Sequence, residues 1–226
     1  MKENFVDVIA LSAKICSAPI KGNLSYAKSE NFLGRVVKGY YEDASDVCLL
    51  TKAVAETLCL VQNHLVENYN LGLLIHDAYR PLKAVKDFGE WAKQPPINDY
   101  ELERKKIHYP NIEKTDLDKL GYVLSTISRH CFGNAVDVTL ISLENGKEIP
   151  MGCVFDFFDE LSHPTANVSQ IGEEALKNRN TLIETMKLFN FEVYDVEYWH
   201  FDFYIREIDE PADFDITKSL KKLGEV

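Results

Sequence analysis

The sequence predicts an α+β fold, a single domain spanning residues 1–226 with a mainly antiparallel sheet and flanking helices. Three observations carry this expectation. A long stretch of helical periodicity is followed at once by a short apolar run of strand length. An Asn145-Gly146 pair sits between two extended segments, a strong signal for a tight antiparallel hairpin. A late segment, Phe191 to Ile205, is dense in aromatic and β-branched residues, which fit a pleated surface. The order is helix, strand, helix, then strands joined by a hairpin, then helix and strand, which is an α+β order.

Taken in order, the first 45 residues are mixed and punctuated by Pro19, Gly22, Gly34 and Gly39. Val47, Leu50, Val54, Leu58, Val61 and Leu65 recur at spacings of three and four, which predicts an amphipathic helix with one buried face. Leu71 to Ile75 reads as a buried strand leading into His76-Asp77-Ala78-Tyr79-Arg80-Pro81. Pro81 suits the first turn of a second helix, because its missing N–H is one that a helix start leaves unpaired. Ala84, Val85, Phe88 and Trp91 continue that helix on one side, and Pro95-Pro96 ends it. Residues 97 to 115 read as irregular, and Asp116 to Val123 as a short helix closed near Gly121. Ala135 to Leu143 is a strand, turning at Asn145-Gly146 into Lys147 to Pro150. Asn178 to Phe189 is helical with Leu182, Ile183 and Met186 inward, Phe191 to Ile205 supplies one or two strands, and the acidic tail Asp209 to Asp215 lies on the surface.

A chain of 226 residues is long enough for one substantial core. Its formal charge of −11 argues against a nucleic-acid partner, which would need clustered Lys and Arg. No apolar run reaches the roughly 18 residues of a membrane span, so no membrane partner is expected. The start, Met1 to Val8, has no apolar core behind a basic segment, so no secretory leader is read and a cytoplasmic location is expected, or a periplasmic one if a leader were removed. Five cysteines, at 16, 48, 59, 131 and 153, make no C-x-x-C pair and fit reduced thiols.

The chemistry concentrates in Ser128-Arg129-His130-Cys131-Phe132-Gly133-Asn134-Ala135-Val136-Asp137. Two imidazoles and one carboxylate are a common set for a catalytic zinc, and His130, Asp137 and a downstream His200 supply them. On an unbroken strand His130 and Asp137 would point oppositely, so Gly133 must turn the chain if they converge. Asp137, between Val136 and Val138, is costly in an apolar strand unless paired or bound to metal. From spacing alone His130 reads more readily as a loop histidine near the surface, and His200 reads equally as a hydrogen-bonded core histidine. On the last strand Trp199, Phe201, Phe203 and Ile205 form the core parity and Tyr198, His200, Asp202 and Tyr204 the site parity. Glu197 therefore reaches the site only if the chain bends before His200. Cys131 is expected to point away, His76 to lie near the site, and His64, His108 and His163 to be surface or structural.

Five ordered segments together resemble the D-alanyl-D-alanine dipeptidases of vancomycin resistance and their relatives. They are Tyr26-Ala27 through Asn31-Phe32-Leu33-Gly34 with Gly39-Tyr40; Asp77-Ala78-Tyr79-Arg80-Pro81 with Ala84-Val85; Ser128-x-His130-x-x-Gly133-x-Ala135-x-Asp137; Met151-Gly152 with Phe155-Asp156-Phe157 and Ser162-His163; and Glu197-Tyr198-Trp199-His200. The resemblance implies a zinc peptidase of compact α+β fold with one Zn²⁺ on the sheet, held by His130, Asp137 and His200. It implies Glu197 as catalytic base, Arg80 as the group stabilising charge on the scissile carbonyl, Asp156 as the holder of the substrate ammonium, and Ser128 and Tyr26 near a bound small dipeptide. Arg80 also reads as a salt bridge at a helix start, and Asp156 as a helix cap. The implied role is hydrolysis of D-Ala-D-Ala in cell-wall peptide metabolism or glycopeptide resistance. The alternatives are a zinc D,D-carboxypeptidase acting on longer peptidoglycan peptides and a non-catalytic metal-stabilised binding domain. The chain departs from the family pattern at His76 and Ala78, where Trp and Gly are usual, at Tyr198, where Trp is usual, and at Arg129, Cys131 and Phe132, where small and polar residues are usual.

Overall fold

A computed structural model describes residues 2–205 and 210–223. Five strands make the main sheet. In chain order they are β2 (Lys21–Gly22), β4 (Leu71–Asp77), β5 (Ala135–Ser142), β6 (Glu192–Tyr194) and β7 (Glu197–Asp202), and the spatial order is β2-β4-β5-β7-β6. Only β2–β4 is parallel; the other pairings are antiparallel, as the α+β expectation requires. A separate antiparallel pair joins β1 (Phe5–Asp7) to β3 (Leu49–Thr51). Among the described residues no helix is long and apolar enough to cross a membrane.

Two helices close over one face of the sheet. The first, α2 (Lys52–Tyr69), buries Val54, Leu58, Val61 and Leu65. It ends at Asn70, whose left-handed φ of 54° is a conformation asparagine tolerates well. The second, α6 (Glu173–Leu188), buries Leu182, Ile183 and Met186 and contacts α2, β5, β6 and β7. Leu73, Ile75, Val136, Val138, Leu140 and Phe201 are buried in the same core cluster. By strand alternation, Asp137 and Thr139 then belong to the opposite face.

Several expectations are corrected. The helix read from Val47 begins only at Lys52, because Leu49 and Leu50 pair with β1 and the Leu49 carbonyl accepts the Tyr79 N–H at 2.8 Å. The mixed N-terminal stretch holds a helix, α1 (Val8–Ile15), capped by the Asp7 carboxylate accepting the Ile9 N–H at 3.1 Å. Pro81 does precede a helix, α3 (Leu82–Ala92), with Ala84, Val85, Phe88 and Trp91 buried. The region read as irregular contains α4 (Asp99–His108), whose Asn98 side chain accepts the Glu101 N–H at 2.9 Å. The helix expected over Asp116 to Val123 is instead a 3₁₀ turn, Lys114–Asp116, followed by turns to Gly121.

The Asn145-Gly146 turn forms, with the Gly146 N–H on the Ser142 carbonyl at 2.8 Å, though its return arm makes a single bridge, Ile141 to Glu148. A short helix, α5 (Val168–Ile171), precedes α6, which starts at Glu173, earlier than Asn178. Of the tail expected on the surface, Asp209 lies outside the described residues. The rest is partly built in: Ala212 is buried and its N–H donates to the Cys131 carbonyl at 2.8 Å, and just beyond the tail Ile216 is buried, with its N–H on the Gly39 carbonyl at 2.8 Å.

Candidate active site

Strand register brings the first two candidate residues together. Asp137 of β5 and His200 of β7 are direct cross-strand partners, so their side chains share a face. The third comes from the 3₁₀ turn Arg129–Phe132, opened by the Ser128 hydroxyl accepting the His130 N–H at 3.3 Å. Gly133 ends that turn with φ 67°, a left-handed conformation a side chain would strain, and a Cβ there would collide with the Phe5 ring. The bend required by the odd spacing of His130 and Asp137 is therefore made at Gly133.

The three side chains converge. His130 Nε2 lies 3.4 Å from Asp137 Oδ1, His200 Nδ1 lies 3.1 Å from the same oxygen, and the two ring nitrogens are 3.1 Å apart. The far nitrogen of each ring is already used: His130 Nδ1 donates to the Ala78 carbonyl at 2.6 Å, and His200 Nε2 pairs with Asp202 Oδ1 at 3.1 Å. Such outer partners fix which nitrogen faces inward. Asp137 Oδ1 is buried without a hydrogen-bond donor. The three inward atoms lie within 4.8 Å of one another and form a group that could hold a metal ion. A buried oxygen without a donor and two pre-oriented imidazoles fit that ion.

The electrostatics are set by burial and by these partners. Burial works against charge on Asp137, but His130 and His200 outweigh it and hold the carboxyl well below the ordinary range. Burial also opposes the His200 charge, yet the carboxylates of Asp137 and Asp202 on either side of its ring push its pKa up to about 10. Burial pushes the Glu197 carboxyl up to about 8, with Asp137 adding to the rise. Asp156 is raised well above the usual carboxylate range, first by burial and then by Glu197 and Asp137. Its Oδ1 accepts the Tyr26 hydroxyl at 3.2 Å, while Oδ2 is buried with no partner. Asp156 has a left-handed φ of 58° and caps no helix.

Every candidate except His130 lines one cavity of about 210 Å³: Tyr26, Arg80, Ser128, Asp137, Asp156, Glu197 and His200. His130 is fully buried. Glu197 and His200 share the cavity despite their odd spacing because the β6–β7 ladder shifts register between Val193 and Tyr194. Tyr198 was assigned to the site parity and is not there; its ring packs under the Arg179 guanidinium at 4.0 Å. His76 lines a neighbouring cavity with Glu148 and stacks on Phe155 at 4.4 Å. Cys131 is buried and outside the metal group, as expected. His163 meets the Tyr122 hydroxyl, whereas His108 is tied to the site loop through the Asp156 carbonyl at 3.1 Å.

Sequence reasoning missed the supporting carboxylates. Asp77 accepts Arg80 Nε at 2.9 Å and the Tyr40 hydroxyl at 2.7 Å, and Arg80 also reaches Asp137 at 3.3 Å. A bulge between Ile75 and Asp77 sets Asp77 opposite Asp137. Asp202 was given the right face but no partner. For Asp77 the available signal was its i, i+3 spacing to Arg80.

Comparison with known proteins adds the following. A family model described as D-Ala-D-Ala dipeptidase matches residues 8–216. A D-alanyl-D-alanine dipeptidase of Enterococcus faecalis is 40% identical over 192 residues, covering 85% of this chain and 88% of the relative. One of Enterococcus faecium is 39% identical over 182 residues, covering 80% of this chain and 85% of the relative. One of Streptomyces coelicolor is 35% identical over 182 residues, with the same two shares.

Proposed function

The chain belongs to the D-Ala-D-Ala dipeptidase family of metallopeptidases, and from that premise we propose that it is a zinc enzyme hydrolysing the free dipeptide D-Ala-D-Ala. The observation that carries this reading is the His130–Asp137–His200 donor set, whose Asp137 and His200 line one small cavity together with Glu197 and the partnerless oxygen of Asp156. One domain over residues 1–226 carries the site, and the role lies in cell-wall peptide metabolism or glycopeptide resistance.

His130 Nε2, Asp137 Oδ1 and His200 Nδ1 would hold one zinc ion, whose chemistry is to lower the pKa of a water and polarise a carbonyl. Glu197 takes the proton of the attacking water and delivers it to the leaving amine. Its raised pKa suits both halves of that task, since a base near neutrality gives its proton back readily. Arg80 stabilises the charge that develops on the carbonyl oxygen, and Asp77 fixes its guanidinium plane through Nε. Asp156 Oδ2 receives the substrate ammonium, with Tyr26 holding the other oxygen. Ser128 shapes the turn that presents His130.

Asp156 also limits length. An acylated or extended amine brings no charge to the buried carboxylate and adds bulk against it, so longer peptides lose twice. The test is metal analysis of the purified protein together with hydrolysis of dipeptide, tripeptide and pentapeptide ending in D-Ala-D-Ala. One zinc per chain and cleavage confined to the dipeptide are expected. Preferential trimming of the pentapeptide would replace this reading with a carboxypeptidase, and a zinc-loaded protein that cleaves none would leave a binding domain.

A further inference from the structure

The acidic residues lining the cavity are Asp137, Asp156, Glu197 and Asp202, and its cations are the Arg80 and Arg129 guanidiniums and the His200 ring, which is turned to Asp137 and Asp202. A free dipeptide carries a carboxylate as well as an ammonium, and a carboxylate brought against this lining of acids needs a cation of its own. Arg80 is committed: it is bound to Asp77 and Asp137 and sits between the Tyr26 and Phe88 rings, 5.1 Å from each. Arg129 is not. Its side chain is 43% exposed, its Nε meets Asp202 at 3.4 Å, and its guanidinium lies 3.9 Å from the Tyr204 ring centre. Among the described residues its two terminal nitrogens have no protein partner.

We propose that Arg129 receives the terminal carboxylate of the substrate; this rests on the dipeptidase reading above. The Tyr204 face holds the guanidinium plane, and the two terminal nitrogens are left to make paired N–H bonds to one carboxylate. Arg129 also follows Ser128 and precedes His130 in the turn, so the cation is carried by the same turn as a metal donor. Burial gives the cavity a direction. Asp156 is buried and Arg129 stands half-exposed at the rim, so the substrate enters amine first and its carboxylate stays near the mouth. The two ends are then policed differently. An extension at the amine meets a closed, buried carboxylate, whereas a change at the carboxyl end is opposed by Arg129 alone.

The test compares D-Ala-D-Ala with its C-terminal amide in the zinc-loaded wild type, Arg129→Gln and Arg129→Lys. The wild type is expected to prefer the acid. Arg129→Gln should raise KM for the acid by about tenfold or more, keep kcat within about threefold and leave the amide unaffected, so that the preference disappears. Arg129→Lys should recover part of it, because a point charge remains without the planar fork. Metal content should not change in either variant. Equal losses on acid and amide would overturn the proposal. So would loss of zinc from Arg129→Gln, which would mean that Arg129 acts through Asp202 on His200. A wild type that cleaves acid and amide equally well would overturn it while leaving the dipeptidase reading intact; a wild type that cleaves neither would remove both.

Discussion

Glu197 and Asp156 are both buried carboxylates raised by desolvation, yet they face different tasks and respond to different substitutions. Glu197→Gln keeps the shape and removes the proton acceptor. Turnover should fall by at least about 10²-fold at unchanged zinc content, the usual scale for losing a general base. Near-normal kcat in that zinc-loaded variant would rule out the base. Asp156→Asn removes the charge proposed to face the substrate ammonium, and kcat/KM for the free dipeptide should drop by about 10²-fold. The N-acetylated dipeptide, poor for the wild type, should lose far less. Equal losses on both substrates would make Asp156 structural. At this scale the sequence was most legible where chemistry sits in one short window: His130, Asp137, Glu197 and His200 each fall in a segment that can be read directly. Asp77 offered only its i, i+3 spacing to Arg80, since the bulge that sets it opposite Asp137 leaves no sequence signal, and Asp202 depends on the reach of a second ring nitrogen, which no spacing encodes.

Gly133 ties two elements together: its left-handed turn lets the His130 segment lie against β1, and its carbonyl accepts the Thr51 N–H at 3.0 Å. Gly133→Ala should cost roughly 1–2 kcal/mol for the backbone alone, with the Phe5 collision added, and lower metal occupancy, read by thermal melting and zinc analysis. The cap of α1 gives a pH test. Burial raises the Asp7 carboxyl from 3.8 to about 6, so between those values the folded chain binds more protons than the unfolded one. The Asp7 contribution to stability therefore falls as pH rises through that window and levels off above it. Asp7→Asn retains an oxygen for the Ile9 N–H and should remove this slope, gaining on the order of 2 kcal/mol over the wild type at pH 7 relative to pH 4. A parallel pH profile in both proteins would refute it. Elements with an apolar stripe, α2, α3 and α6, were legible; α4 was not, because it is held by its Asn98 cap and by charges such as the buried Lys114–Glu101 pair at 2.9 Å. Leu49 and Leu50 misled for the opposite reason: their spacing continues the helical pattern while their backbone pairs with β1.

For the molecule as a whole, the proposed metal would link proton and fold. His200 without metal has a pKa of about 10, so below that value it carries a proton that must leave before Nδ1 can bind a cation. Zinc uptake near pH 7 should release about one proton per ion, and affinity should climb about tenfold per pH unit. Calorimetry in buffers of different ionisation enthalpy measures that release, and proton-free uptake would contradict it. Chelation should lower the melting temperature, since the proposed ion would bind the folded arrangement, where the three donors meet. The α+β class and antiparallel sheet were legible from the order of periodic segments, whereas the return of residues 212–216 across the structure was not, being a matter of backbone bonds to Leu82, Cys131 and Gly39. That return has a consequence for the order of events during synthesis. The ribosome delivers His130 and Asp137 well before His200, and the bond from the Ala212 N–H that braces the His130 turn later still. A growing chain therefore carries an open half-site from the addition of Asp137 until His200 follows, and the proposed ion would find its full donor set only once that later strand has paired.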